Sequence, residues 1–207
     1  MLLDVDGTLF LTHDALAGRA LTETLEERYG VDLPEDGIER VDHEGQSSLR
    51  IGRLVLAGAG LDDPDDLRGW CSRFAERYVE LLERADTTHW RAAPGAALAL
   101  GRLAAAGHRL ALLTGNPEPI ARARMARLGL GRFFPPGQGA FGCESESRTE
   151  LIEYARARAG AWPADATVEI GDTERDETSA AAAGIGSIRV GETGLTAAVA
   201  RLLEPSA

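Results

Sequence analysis

From residue 90 onward, short apolar runs alternate with segments of helical periodicity, and few folds accommodate that alternation. The periodicity predicts helix Ala96–Ala106 ending at Gly107, then strand Arg109–Leu113 running into Thr114-Gly115-Asn116. Helix Glu118–Leu128, a short strand over 140–142 and helix Thr149–Ala159 come next. Strand Thr167–Ile170 ends at Gly171-Asp172, and helix Arg175–Ala183, strand Ser187–Val190 and helix Leu195–Leu203 finish the pattern. Strand alternating with helix requires right-handed crossovers and a parallel sheet covered on both faces.

A first buried strand is expected at residues 2–5, but the segment beyond it is helical in pattern throughout. Ala17, Leu21, Leu25 and Tyr29 keep helical spacing from Leu16 to Tyr29, with Gly30 as a left-handed cap. A second helix is expected over Ser47–Leu56. A third should start at Asp63-Pro64, an N-cap followed by proline, with Leu67, Trp70, Cys71, Phe74, Tyr78, Leu81 and Leu82 on one apolar stripe. The pattern therefore predicts an α/β core over 1–13 and 90–207, with an all-helical insert over 14–89.

The chain has 207 residues, enough for one core with a smaller insert. No apolar run reaches membrane-span length, and Asp4 falls where a secretory leader would carry its apolar stretch, so a cytoplasmic protein with no membrane partner is expected. The net charge of −11 without a basic run argues against nucleic acid as a partner. Two cysteines, Cys71 and Cys143, are too few for a disulfide framework or a zinc site, and Cys71 is expected as a small buried hydrophobe. The sequence contains no lysine, so all 22 basic side chains are arginine.

In an open parallel sheet, ligands bind beyond the carboxyl ends of the strands. Asp4 and Asp6 fall after the first strand, Thr114 and Asn116 after the second, and Asp172 and Asp176 after the fourth. Four clustered carboxylates would repel one another without a cation, and oxygen ligands of this kind suit Mg²⁺ together with a substrate phosphate. Thr114, Gly115, Asn116 and the N–H groups opening the next helix would form a phosphate seat.

These stretches resemble a known family. "DVDGTL", "LLTGN" and "EIGDTERD" are similar, in order, to motifs I, II and IV of the haloacid dehalogenase superfamily, and the helical insert resembles the cap of its phosphoglycolate phosphatase-type members. The resemblance implies a Rossmann-like core and a Mg²⁺-dependent phosphomonoester hydrolase acting on a small phosphorylated metabolite. It implies Asp4 as nucleophile through an aspartyl-phosphate and Asp6 as general acid–base. Asp4, the backbone carbonyl of Asp6 and Asp172 would hold the metal, with Asp176 in support and Thr114 on the phosphoryl group. The dehalogenases of the superfamily lack an acid–base Asp at the second position, so Asp6 favours phosphate esters.

One motif departs. The family carries a lysine before the helix preceding motif IV, and Arg148 stands there instead, directly before the predicted helix. Arginine can supply the charge with a different reach, whereas Arg132 and Arg175 have weaker positions for it. The absence of lysine also excludes the branch that forms a Schiff base through a cap lysine. The segment "VDHEGQSSLRI" resembles the specificity segment of such caps, so His43, Gln46 and Arg50 could face substrate or be plain surface. His13 is expected at the hinge and Asn116 as the cap of the helix after motif II. Two alternatives stay open: a phosphomutase of the same fold, and a phospho-ligand-binding protein with impaired catalysis, suggested by the missing lysine and Glu177 beside Asp176.

Overall fold

A computed structural model describes residues 1–34, 36–191 and 193–204. Among these residues, five parallel strands, β1 (Leu2–Leu3), β2 (Ala111–Thr114), β3 (Ala140–Phe141), β4 (Val168–Gly171) and β5 (Gly186–Arg189), form one sheet in the order β3-β2-β1-β4-β5. β1 pairs with β2 on one side and β4 on the other, so the chain changes direction of travel across the sheet beside β1. The crevice this creates opens at the carboxyl ends of β1, β2 and β4. Leu2, Leu3, Leu112, Leu113 and Ile170 are wholly buried there, as strands covered on both faces must be.

Helices α4 (Ala96–Ala105), α5 (Glu118–Arg127), α6 (Arg148–Arg158), α7 (Glu174–Ala182) and α8 (Gly194–Leu202) cover the sheet. Between β1 and α4, the described residues form three helices: α1 (Ala15–Tyr29), α2 (Ser48–Gly58) and α3 (Leu67–Leu82). α1 starts at Asp14, whose carboxylate accepts from the Leu16 N–H. α3 buries Leu67, Trp70, Cys71, Phe74, Ala75, Tyr78 and Leu82 on one face. Trp70 stacks on Phe74 and donates its indole N–H to Thr24 of α1 at 3.1 Å, so the polar tip of the largest insert side chain is satisfied inside.

The structure differs from the sequence expectations at definite places. α3 begins at Leu67, because the Asp66 carboxylate accepts from the Gly69 N–H and is held by Arg28, outcompeting the Asp63-Pro64 start. β1 contains only residues 2 and 3, since the chain turns into a tight loop from Val5, just after the Asp4 N–H donates to the Ile170 carbonyl at 3.0 Å. Arg148 is the first residue of α6, which Ser147 caps. Cys71 is not a free apolar filler: it is bonded to Cys143, just past β3. The buried face of α3 lies against the segment after β3, so the bridge fastens the insert to the sheet domain across 72 positions of sequence. Arg68 to the Glu144 carbonyl (2.9 Å) and Arg53 to Glu146 (2.8 Å) reinforce the same contact.

Candidate active site

The loop after β1 is wound tightly enough to present two carboxylates in opposite settings. Both the Leu9 and Phe10 N–H groups donate to the Val5 carbonyl, and Gly7 donates to that of Phe10. Gly7 has φ +73°, and a Cβ there would stand 2.1 Å from the Asp172 carboxylate. Only glycine allows β1 and β4 to bring their loops so close. Thr8 then donates to Asp172 at 3.1 Å.

Asp4, Asp172 and Asp176 each offer a carboxylate oxygen within 4.8 Å of the others. Asp4 is 7% exposed and Asp176 2%, so both acids are withdrawn from bulk water. Burial lifts the Asp4 carboxyl well above the usual carboxylate range; Arg148 opposes the shift, and Asp176, Asp6 and Asp172 add to it. Burial likewise raises Asp172, against the hydrogen bond from Thr8. Asp176 accepts from the Thr173 N–H (2.8 Å) and hydroxyl (2.9 Å) in a capping box that starts α7. Its Oδ1 has no hydrogen-bond partner among the described residues, although Arg148 Nη2 lies 2.7 Å away outside bonding geometry. Three convergent hard oxygens, one of them orphaned, fit a divalent cation such as Mg²⁺.

The Asp6 carboxylate stands apart from this group. It is half exposed and turned to Arg124, whose Nη1 donates to Oδ1 at 2.9 Å and Oδ2 at 3.2 Å, and to the Asn116 amide. The Asp6 carboxylate is therefore engaged away from the other three acids, and its backbone carbonyl is the atom the family resemblance implies for a metal. Asn116 does not cap α5; that position falls to Pro117. Its amide instead bridges Asp6 and the Thr114 hydroxyl (2.9 Å) and accepts from Arg124 (3.1 Å). Thr114 is buried at the end of β2 and accepts from the Asn116 N–H (3.2 Å), which leaves its own O–H as a donor. Gly115 is required because the Gln46 carbonyl would lie 1.9 Å from a Cβ there. Ser48 of α2 donates to the Gly115 carbonyl through both N–H and hydroxyl.

Arg148 is buried, not solvated. Its Nη2 donates to Asp4 Oδ1 (3.2 Å) and Glu169 Oε1 (2.9 Å), and its Nε to the same Glu169 oxygen (3.0 Å). Burial weakens the guanidinium charge, but Asp4, Glu169 and Asp176 more than restore it and hold its pKa above the ordinary arginine value. Of the insert residues considered from sequence, the structure brings none to the carboxylates through its side chain. His43 bonds to the Ile38 carbonyl, Gln46 to that of Asp42, Arg50 faces Glu146 at 3.6 Å, and His13 is exposed. The backbone of that segment nevertheless lies over the strand ends, with Asp42 paired to Arg175 at 2.7 Å.

Four residues around the site are not apparent from sequence: Arg124, Asp14, Tyr78 and Glu169. Arg124 is 2% exposed and joins Asp6 to Asp14 (Nη2–Oδ2 2.9 Å) and the Tyr78 hydroxyl (3.3 Å), while Glu169 lies wholly buried under Arg148. Burial raises Glu169 to about 7 against the pull of Arg148. Both had a signal: Arg124 falls in phase with Ile120, Ala121 and Met125 on the buried face of α5, and Glu169 is a charge inside a central strand.

Comparison with known proteins shows the family and the fold. A family model for haloacid dehalogenase-like hydrolases matches residues 1–184. The chain is 30% identical over 188 residues to a phosphoglycolate phosphatase of Rhodospirillum rubrum, covering 89% of this chain and 76% of that protein. It is 30% identical over 210 residues to one from Mesorhizobium japonicum, covering 100% of this chain and 88% of that protein. Among solved structures, CbbY from Rhodobacter sphaeroides in complex with phosphate shares the fold with a TM-score of 0.64 at 22% identity, over 91% of this chain and 84% of that one.

Proposed function

The chain belongs to the haloacid dehalogenase-like hydrolases, and from that premise we propose that it is a Mg²⁺-dependent phosphomonoesterase acting on a small phosphorylated metabolite. The convergence of Asp4, Asp172 and Asp176, with a buried guanidinium against Asp4 and Asp176, carries the reading. Such a site can bring an anionic phosphoryl group to an anionic nucleophile only if positive charge lies between them.

In the proposed reaction an Asp4 oxygen attacks phosphorus while the ester P–O bond breaks, and Asp6 gives its proton to the departing oxygen. Asp6 then takes a proton from water, which attacks the aspartyl-phosphate and releases inorganic phosphate and the free Asp4 carboxylate. Thr114 donates to the phosphoryl oxygens, and Arg148 holds positive charge beside Asp4 throughout. Asp4, Asp172 and the Asp6 carbonyl would hold the metal, with Asp176 in support; a bound divalent cation supplies charge neutralisation at the phosphoryl oxygens. Helices α1–α3 act as a cap over residues 14–89, where they exclude water and select substrate.

The test is phosphate release from a panel of phosphorylated metabolites, headed by phosphoglycolate, with Mg²⁺ and after EDTA treatment with exhaustive dialysis. Release that depends on added divalent metal is expected. Full activity in the dialysed protein would sink the metal assignment. Turnover only in the presence of a sugar bisphosphate would favour a phosphomutase, and binding without turnover would favour the impaired protein.

A further inference from the structure

Glu169 is a costly residue where it stands. It occupies the middle of β4, between β1 and β5, at 0% exposure, and its Oε2 has no hydrogen-bond partner among the described residues. Its side chain accepts two hydrogen bonds from Arg148, from Nε at 3.0 Å and Nη2 at 2.9 Å, both to Oε1. Replacing such a buried pair by apolar side chains is often neutral or stabilising, so stability alone does not account for it.

The geometry accounts for it differently. Arginine is long, and its charge is spread over a planar fork with several donors. An arginine that must present one corner of that fork to Asp4 needs its other edge held. Glu169 takes the Nε edge, which no lysine possesses, and the shared Nη2 then reaches Asp4 at 3.2 Å and stands 2.7 Å from Asp176. Removal of the carboxylate would leave Arg148 free to rotate toward Asp176 or the Leu113 carbonyl, already 3.5 Å away.

We propose that Glu169 is a positioning residue that orients the Arg148 guanidinium toward Asp4. The proposal rests on the phosphatase reading for its effect on rate, but not for its geometry. Glu169 adapts the site to arginine at a position where the family uses lysine. It touches neither substrate nor metal and acts only through Arg148.

A double-mutant cycle with a spectroscopic arm tests it. Glu169→Leu should lower kcat about tenfold with KM nearly unchanged, less than the about 10²–10³ expected for deleting a preorganised donor. Glu169→Gln, which keeps an acceptor for Nε, should restore most of that loss. In an Arg148→Ala background, adding Glu169→Leu should change kcat by less than twofold, because a residue that acts only through Arg148 has nothing left to act on. Independent losses that multiply would overturn the proposal. The second readout needs no turnover: the Arg148 Nε–H proton, assigned by its disappearance in Arg148→Ala, should be protected from exchange in wild type and in Glu169→Gln. In Glu169→Leu it should exchange at least tenfold faster, and equal protection would overturn the inference. If Glu169→Leu does not fold, Glu169→Gln against Glu169→Ala gives the same comparison. Absence of wild-type turnover on the whole panel would defeat the phosphatase reading, and the exchange measurement would still decide for or against Glu169.

Discussion

Two buried arginines flank the two aspartates of the first loop, and they are held in different ways. Arg148 draws its carboxylate partners from the sheet domain: Asp4 after β1, Glu169 within β4 and Asp176 on α7. Arg124 spans a boundary, with Asp6 and Asn116 on the sheet side and Asp14 and Tyr78 at the start of α1 and within α3. Its ring contacts are divided in the same manner, over Phe10 at 4.9 Å and Tyr78 at 5.6 Å. In the proposed reaction, charge beside the nucleophile is therefore fixed by the sheet domain alone. The acid–base residue is tied instead to where the helical insert sits.

The largest effect should come from the residue the Arg148 cluster serves. Asp4→Asn removes the nucleophile and should leave less than about a hundredth of wild-type kcat, since the covalent route is the main one. Thermal unfolding should show the variant intact, because burial works against the Asp4 charge. Substantial turnover by the folded variant would break the assignment of Asp4, and the contrast between the clusters with it.

Arg148→Ala comes next. It should cost about 10²–10³ in kcat, roughly 3–4 kcal/mol, as for one preorganised donor lost. The loss should be equal for alkyl and aryl phosphates, because charge beside phosphorus is needed whatever the leaving group. Turnover within threefold of wild type would remove Arg148 from the site.

Most of the sheet and all three insert helices were legible in the sequence because each rests on local chemistry. The Gly30 cap, the α3 stripe and the strand ends marked by Asp4, Thr114 and Asp172 depend on residues close together in the chain. Expectations failed where a distant partner decides. Asn116 would make an ordinary helix cap, but Asp6 and Arg124, 110 and 8 positions away, recruit its amide. Cys71 and Cys143 are paired by the docking of α3 on the segment after β3, a contact that neither neighbourhood encodes. Arg124 and Glu169 are charged residues at positions whose periodicity is apolar, and only the tertiary structure supplies the opposite charge that makes this tolerable.

The smallest predicted effect sharpens the comparison most, because it tests the link between the insert and the acid–base residue. Arg124→Lys keeps the positive charge, but an ammonium cannot bridge Asp6 and Asp14 as the fork does, with Nη1 on one and Nη2 on the other. Asp14 is buried and capping α1, so the lysine should stay with Asp14 and release Asp6. General acid assistance is worth about 10²–10⁴-fold and matters most when the leaving oxygen is basic. Asp6→Asn should therefore lose that order on alkyl phosphates and much less on p-nitrophenyl phosphate. Arg124→Lys should show the same dependence on leaving group at smaller size, about tenfold on alkyl phosphates and under about threefold on p-nitrophenyl phosphate. Arg148→Ala should show no such dependence. If Arg124→Lys slows both substrates equally, the two clusters do not divide the reaction between nucleophile and leaving group, and Arg124 acts only to hold the insert against the sheet domain.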